Sequence, residues 1–305
     1  MKLVFMGTPD FAKESLDALI KSKHEVVAVF TQPDKPVGRH RVITPSAVKV
    51  RALESSIPVY QPSNMKGEDT LKLLNEISPD VICVVAYGML LPETVLNTAK
   101  YGCINVHGSL LPKYRGAAPI QWSVINGDEF AGVTTMYMNK GLDTGDIIFK
   151  DKIKINALDT SKDMYERLAP LGAKLLLKTL DEIEKGTAPR TPQNEDEASY
   201  APMLNKEMAV LDFNKTAKEI CSLICGLNPW PVAYGFVDGK RFKVYLAKEC
   251  ELKGNIGELL CEDRLVIGCR DKSVELLEIQ VEGSKMQKSE EYIRGHKLKL
   301  GKFFD

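Results

Sequence analysis

The chain has few of the residues that build metal centres or disulfide frameworks. Of its 305 residues only 4 are histidine, and its 7 cysteines form no C-x-x-C pair. Neither residue type falls at a spacing with acids or thiols that is typical of a metal site. An odd number of scattered cysteines favours a reducing compartment, so we expect a cytoplasmic protein without a metal ion.

Net charge and long apolar runs are missing as well. The 41 basic and 41 acidic residues cancel, so a nucleic-acid partner can be argued only from local clusters of charge. No apolar run reaches the roughly 18–20 residues of a membrane span, and we expect no membrane partner. The opening residues MKLVFM predict a short strand rather than a signal peptide.

Strands and helices alternate through the first part of the chain. Short apolar strands such as VVAVFT and VICVVAYG are separated by helices predicted near residues 9–22, 46–54 and 68–77. Such alternation indicates a mostly parallel sheet covered on both faces, the doubly wound, Rossmann-like class of α/β folds. We assign residues 1–186 to this domain.

Local signals refine this domain. Thr8 is predicted to cap the first helix, with Pro9 at its first helical position. The turn at residues 6–9 lacks a G-x-G-x-x-G pattern, so we expect no dinucleotide there. A long helix near residues 161–185 closes the domain, and Pro170 predicts a break or kink within it.

The composition changes after residue 186. Residues 187–206 are polar and contain prolines, which is typical of an extended linker. A helix is predicted near residues 216–227, followed by five short alternating segments: AYGFV, RFKVYLA, IGELL, RLVIGC and SVELLEIQV. This pattern predicts a small antiparallel, OB-like barrel over residues 207–305.

Three polar residues lie at or just after the ends of predicted strands in the first domain. Asn105 and His107 lie two residues apart on one strand, so their side chains share a face, and Asp143 follows the next strand. An amide donates to an oxyanion, an imidazole moves protons near neutral pH, and a carboxylate orients it or takes a proton. Together they predict acyl transfer, although each alone is also explained as a turn residue.

The surrounding residues resemble a known family. The run NVHGSLLPKYRG at residues 105–116, followed by LDTG at residues 142–145, resembles the signature of the folate-dependent formyltransferases. The resemblance implies 10-formyltetrahydrofolate as formyl donor, with Asn105, His107 and Asp143 as catalytic residues.

The resemblance also implies where the folate binds, namely against Ser109, Leu110, Leu111 and Pro112. A second apolar strand end predicts one wall of a flat pterin slot and comprises Gly88, Met89 and Leu90. An ordinary buried strand end explains that second segment equally well. Arg115 has two interpretations: it meets an anionic group, or it braces its loop.

Other segments bear on the acceptor amine. FMGTP at residues 5–9, TQPDKPVGR at 31–39, NPWP at 228–231 and IRGH at 293–296 are similar to the methionyl-tRNA formyltransferase branch. That similarity implies initiator methionyl-tRNA as the acceptor. It also implies that the loop at 31–39 enters the acceptor stem and that the barrel holds the inside of the tRNA bend.

The charge of this loop agrees with an RNA partner. Residues 35–53 contain no acid, and we predict that Lys35, Arg39 and Arg41 contact tRNA, with Lys49 and Arg51 adding to the cluster. A solvated basic loop is the alternative interpretation.

Three other functions stay open at this point. One is formyl transfer to a sugar-nucleotide amine, and another is hydrolysis of the same folate to release formate. The third is a non-catalytic folate- or RNA-binding module, against which the set of Asn105, His107 and Asp143 argues. We expect the protein to be a monomer.

Overall fold

A computed structural model of the chain describes residues 1–38 and 41–304. These residues form two compact units, each built from segments that are discontinuous in sequence. The first unit contains residues 1–116, 132–153 and 165–200. The second contains residues 117–131, 154–164 and the chain from Ala201 onward.

Helices occur throughout the described residues, and the five that were predicted have bounds close to the predicted ones. Ser46 caps the helix Ala47–Glu54 because its hydroxyl accepts a hydrogen bond from the backbone N–H of Lys49 at 3.1 Å. No helix in the described part of the chain has both the length and the apolar character that crossing a bilayer requires. The helices are α1 Asp10–Ile20, α2 Ala47–Glu54, α3 Glu68–Ile77, α4 Glu93–Leu96, α5 Pro119–Ile125, α6 Ser161–Lys185, α7 Ala217–Gly226 and α8 Ser289–Gly295.

The first unit is organised by a seven-stranded sheet. Its strands and the short strands beside it are β1 Lys2–Gly7, β2 Glu25–Phe30, β3 Lys35–Val37, β4 Val42–Thr44, β5 Val59–Tyr60, β6 Val81–Val85, β7 Cys103–His107, β8 Arg115–Gly116, β9 Phe130–Tyr137, β10 Ile147–Lys154 and β11 Tyr200–Ala201.

The strand order of this sheet is β5-β2-β1-β6-β7-β9-β10. The pairings among β5, β2, β1, β6 and β7 are parallel, and β9 runs antiparallel to β7. The predicted α/β class with a mostly parallel sheet is therefore confirmed. Because parallel strands end at one edge, the carboxyl ends of β1, β6 and β7 bring their following loops together.

A predicted helix cap and a predicted helix break in the first unit are wrong. Helix α1 begins at Asp10 with Pro9 as its N-cap, and the Thr8 hydroxyl donates to the carbonyl oxygen of Tyr87 at 3.1 Å instead of capping the helix. Helix α6 continues through Pro170 without a break. Leu168 and Leu176 on α6 are fully buried, and such tertiary packing outweighs the local cost of one proline.

The second unit contains a curled antiparallel sheet that forms a half-barrel. All five predicted segments are strands: β12 Ala233–Val237, β13 Lys240–Cys250, β14 Glu258–Leu259, β15 Val266–Gly268 and β16 Ser273–Val281. Two short strands that we did not predict, β17 Gln287–Lys288 and β18 Gly301–Lys302, extend it. The order is β12-β13-β16-β15-β14-β18, with β17 paired to β16.

Helix α7 packs on the half-barrel and covers its core. Thr216 and Glu219 form a capping box at its first turn, which satisfies backbone N–H groups at the helix start. Ile220 and Ile224 on this helix are buried in one cluster with Phe242 and Ile279 of the sheet. The predicted helix near residues 216–227 is thus confirmed.

Candidate active site

The first two predicted catalytic residues lie near the carboxyl end of strand β7 in the first sheet. On the paired strand β9, Met136 lies opposite Asn105 and Thr134 lies opposite His107. Asn105 and His107 are largely buried, with 9% and 6% of their surface exposed. Among residues 1–38 and 41–304, no group hydrogen-bonds to the Asn105 side chain. Its amide keeps some contact with solvent and remains available as a donor to a ligand.

The two ring nitrogens of His107 face different acceptors. Nε2 lies 2.8 Å from the carbonyl oxygen of Tyr114, and Nδ1 lies 3.7 Å from Oδ2 of Asp143. Because a carbonyl oxygen only accepts hydrogen bonds, Nε2 carries a proton. The distance to Asp143 is too long for a direct hydrogen bond but within the range of an ion pair. His107 and Asp143 are thus brought together, as the sequence predicted.

Backbone contacts hold Asp143 in place. Its φ angle is 54°, in the left-handed region that residues other than glycine seldom adopt. Its Oδ2 atom accepts a hydrogen bond from the backbone N–H of Gly116 at 2.8 Å. Its own carbonyl oxygen accepts a hydrogen bond from Nε2 of Gln193, also at 2.8 Å.

Arg115 braces its loop, which decides between its two interpretations. Its guanidinium is buried and donates to both carboxylate oxygens of Glu195 at 2.8 Å and to Oε1 of Gln193 at 2.9 and 3.1 Å. The hydrogen bonds with Glu195 raise the pKa of Arg115, and Arg115 lowers the pKa of the Glu195 carboxyl.

Gln193 was missed by the sequence analysis. It lies in the segment interpreted as a linker, between Arg115 on one side and the Asp143 loop on the other. Its sequence neighbours are polar as well, so no pattern in the chain distinguishes it from a solvated linker residue.

The predicted folate segment 109–112 is held firmly by β9. Thr134 donates to the carbonyl oxygen of Ser109 at 2.6 Å and accepts from the backbone N–H of Leu111 at 3.1 Å. Ser109, Leu111 and Pro112 are buried, whereas Leu110 is half-buried. The segment therefore presents Leu110 and backbone groups rather than four open side chains.

The second predicted folate segment is more open. Gly88 has a φ angle of 76°, and Gln32 donates to the carbonyl oxygens of Tyr87 and Gly88 at 3.0 Å each. Met89 packs against the core of the first unit, whereas Leu90 is 82% exposed. The exposed leucine suits contact with a flat ring.

The basic loop forms a hairpin of β3 and β4. Arg39, a predicted tRNA contact, lies outside the described residues. Lys35 donates to Oε1 of Gln32, and Arg41 is exposed.

Two of the other basic residues in this region are already paired. Nζ of Lys49 lies 2.6 Å from Oδ2 of Asp34. Arg51 forms an ion pair with Asp17. Each is therefore partly neutralised by an acid that lies outside residues 35–53, and it adds less positive charge to the loop than its sequence position suggests.

The described cysteines and acids do not form a cation site. No group of three or more His, Cys, Asp or Glu side chains with the arrangement of a metal site occurs within residues 1–38 and 41–304. Cys221 and Cys225 are buried on α7 in the second unit, and burial raises the pKa of the Cys225 thiol to about 12.

The chain matches two family models. "Formyl transferase" matches residues 1–180, and "Formyl transferase, C-terminal domain" matches residues 203–297. Two curated relatives have the name methionyl-tRNA formyltransferase. The protein of Caldanaerobacter subterraneus subsp. tengcongensis is 46% identical, over 99% of each chain. That of Lachnospira eligens is 45% identical, over 99% of this chain and 98% of the relative.

A solved structure has a similar fold. It is the N-formyltransferase of Helicobacter canadensis in complex with folinic acid and dTDP-3-aminofucose. Its TM-score is 0.71 at 22% identity, covering 90% of this chain and 98% of that one. At this identity the similarity supports the fold alone.

Proposed function

The chain belongs to the methionyl-tRNA formyltransferase family, and from this premise we propose that it formylates the α-amino group of methionyl-initiator tRNA. The formyl group comes from 10-formyltetrahydrofolate. The product, formylmethionyl-tRNA, serves translation initiation. The names of the relatives favour this reaction over formylation of a sugar-nucleotide amine.

One observation supports the chemistry most directly. His107 and Asp143 meet at 3.7 Å beside the unengaged amide of the largely buried Asn105 at the carboxyl end of β7. Attack by the amine moves negative charge onto the formyl oxygen, and Asn105 donates a hydrogen bond to that oxygen. An N–H of His107 is the second donor in this proposal.

The attacking nitrogen must also lose a proton. An α-amino group has a pKa of about 8, so it needs only modest help to become a nucleophile near neutral pH. Asp143 faces Nδ1 of His107 and accepts the amine proton directly or through a water molecule. The hydrogen bond from Gly116 holds the carboxylate in position for this role. The tetrahedral intermediate then breaks its bond to the folate nitrogen, which leaves with a proton while the formyl group stays on the amine.

The folate site is proposed between the two segments beside this centre. Ser109, Leu110, Leu111 and Pro112 form one side, chiefly through Leu110 and the backbone. Gly88, Met89 and Leu90 form the other, where the exposed Leu90 accommodates a flat ring.

The tRNA contacts are proposed for Lys35, Arg39 and Arg41 on the loop around β3 and β4. Positive side chains on this hairpin suit phosphate contacts, and such contacts depend on salt. We propose that residues 1–186 carry catalysis, that residues 187–206 link the domains, and that residues 207–305 hold the tRNA. The protein acts as a monomer in the cytoplasm in this proposal, and light scattering tests the first point.

Formyl transfer to charged tRNA tests the proposal. The protein is incubated with 10-formyltetrahydrofolate and either methionyl-initiator or methionyl-elongator tRNA, and formylmethionyl ester is measured. We expect transfer to the initiator and little to the elongator. Formate release without any acceptor would instead identify a hydrolase, and transfer to a small amine without RNA would identify a sugar-type enzyme.

A further inference from the structure

We infer that Gln193, held by Arg115, is a positioning residue that sets the carboxylate of Asp143 against His107. The inference rests on the proposed function for its kinetic consequences. The contacts that carry it all lie within the first unit, and they connect a buried charge to the backbone of a catalytic loop.

The orientation of the Gln193 amide is fixed by its partners. Oε1 accepts hydrogen bonds from Nε and Nη2 of Arg115 at 3.1 and 2.9 Å. Nε2 donates to the carbonyl oxygens of Asp143 and Gly145, at 2.8 Å each. Because a guanidinium only donates and a carbonyl only accepts, the reverse orientation would lose all four contacts.

These two donated hydrogen bonds act on the strained part of the loop. Asp143 has a φ angle of 54°, and the amide of Gln193 holds the carbonyl oxygens of Asp143 and of the residue two positions on. A residue in this backbone region persists only when its surroundings hold it there. Gln193 stabilises this backbone conformation through hydrogen bonds from a segment outside the loop.

Arg115 fixes the position of the Gln193 side chain. Its side chain is 0% exposed, and Glu195 engages its other edge at 2.8 Å. Its neighbours contact the catalytic pair directly, because Tyr114 accepts from His107 and Gly116 donates to Asp143. A displacement of Arg115 or Gln193 therefore moves both sides of the His107–Asp143 contact.

Two substitutions separate positioning from packing. Gln193→Glu keeps the length of the side chain and a partner for Arg115, but removes the donor that holds the loop. Gln193→Leu removes the donor without adding charge. Asn194→Asp makes the same amide-to-carboxylate change one residue further on, where the exposed Asn194 caps a short turn and does not contact the loop.

We expect both Gln193 variants to lower kcat by about 10- to 100-fold while the KM values for folate and tRNA change little, since small misplacements of reacting groups cost rates of this order. The pH dependence of kcat should change in both, because the His107–Asp143 contact changes. Asn194→Asp should retain wild-type kcat. Wild-type kcat in Gln193→Leu would overturn the inference, as would a loss confined to Gln193→Glu.

A measurement without substrate keeps the inference independent of the proposed function. The Gly116 N–H donates to Asp143, so displacement of that carboxylate should speed its hydrogen exchange in both Gln193 variants by about tenfold or more. Unchanged exchange at Gly116 in both variants would overturn the inference even if the protein formylated no tRNA. Failure of the wild-type protein to formylate tRNA, with faster exchange in the variants, would reject only the proposed function.

Discussion

Nε2 of His107 lies 2.8 Å from the carbonyl oxygen of Tyr114, and this contact determines which ring nitrogen faces Asp143. Tyr114 has a φ angle of 61°, so its carbonyl reaches the ring from a left-handed backbone position. Any group that takes a hydrogen bond from Nε2 must compete with Tyr114. The amide of Asn105 has no such competitor among residues 1–38 and 41–304, so it is the readier of the two oxyanion donors.

Substitution of either donor should therefore slow the chemical step. We expect Asn105→Ala and His107→Ala each to reduce single-turnover formyl transfer by roughly 100- to 1000-fold, because loss of one oxyanion donor has that effect. Folate affinity, measured by titration calorimetry, should change little and is the control for folding. A near-normal rate in either variant would exclude that residue from the proposed role.

Much of the fold follows from the sequence because its signals are local. The bounds of α3, Glu68–Ile77, are reproduced, and each of the five predicted segments contains or lies within a strand of the half-barrel. The placement of Asn105 and His107 on a strand also needed only the two-residue period of β-structure.

The remaining features depend on contacts between residues distant in sequence. Gln193 reaches Asp143 across 50 positions, and Arg51 finds Asp17 across 34. A count of charges within residues 35–53 cannot detect an acid on another helix. The same holds for α6, whose passage through Pro170 depends on what its apolar face packs against.

The pairing of Arg51 gives a matched control for the loop. We expect Arg39→Ala and Arg41→Ala to raise the KM for methionyl-tRNA. Both should also reduce the salt dependence of binding, because each phosphate contact adds about one to the slope of log affinity against log salt concentration. Folate KM should stay constant. Arg51→Ala should instead lower the free energy of unfolding slightly, because it removes an ion pair with Asp17.

These outcomes are measured by steady-state kinetics at several salt concentrations and by urea denaturation. Unchanged tRNA KM in both loop variants would remove the hairpin from the tRNA interface. A larger effect of Arg51→Ala than of Arg41→Ala on tRNA KM would mean that α2, and not the hairpin, contacts the RNA.

Gly88 and Gly102 test the proposed folate slot through a matched pair. Their φ angles are 76° and 79°, so alanine suffers similar backbone strain at both sites, about 1 kcal/mol. A Cβ atom at Gly88 would clash with Nε2 of Gln32, whereas a Cβ atom at Gly102 would meet nothing within 4 Å in the described part of the chain.

Gly88→Ala must therefore displace Gln32 from the carbonyl oxygens of Tyr87 and Gly88. We expect it to unfold more easily than Gly102→Ala by about 1–2 kcal/mol, the net effect of two lost hydrogen bonds. Folate affinity should fall only in Gly88→Ala. Equal folate affinity in the two variants, measured by calorimetry, would argue against this wall of the slot.

The burial of the cysteines gives a prediction about how fast their thiols react at pH 8. Burial raises the pKa of the Cys103 and Cys269 thiols to about 12 and that of Cys83 still further. A raised pKa lowers the thiolate fraction, and only about one such thiol in ten thousand is ionised at pH 8.

Cys250 and Cys261 are the partly exposed cysteines of the described chain, whereas the other five are buried. We therefore expect an aromatic disulfide reagent at pH 8 to label these two in the native protein within minutes, and all seven after denaturation. Mass spectrometry of the labelled peptides identifies the sites. Rapid native labelling of Cys83 or Cys103 would mean that the first sheet opens to solvent on that timescale, because their thiols have no other access to the reagent.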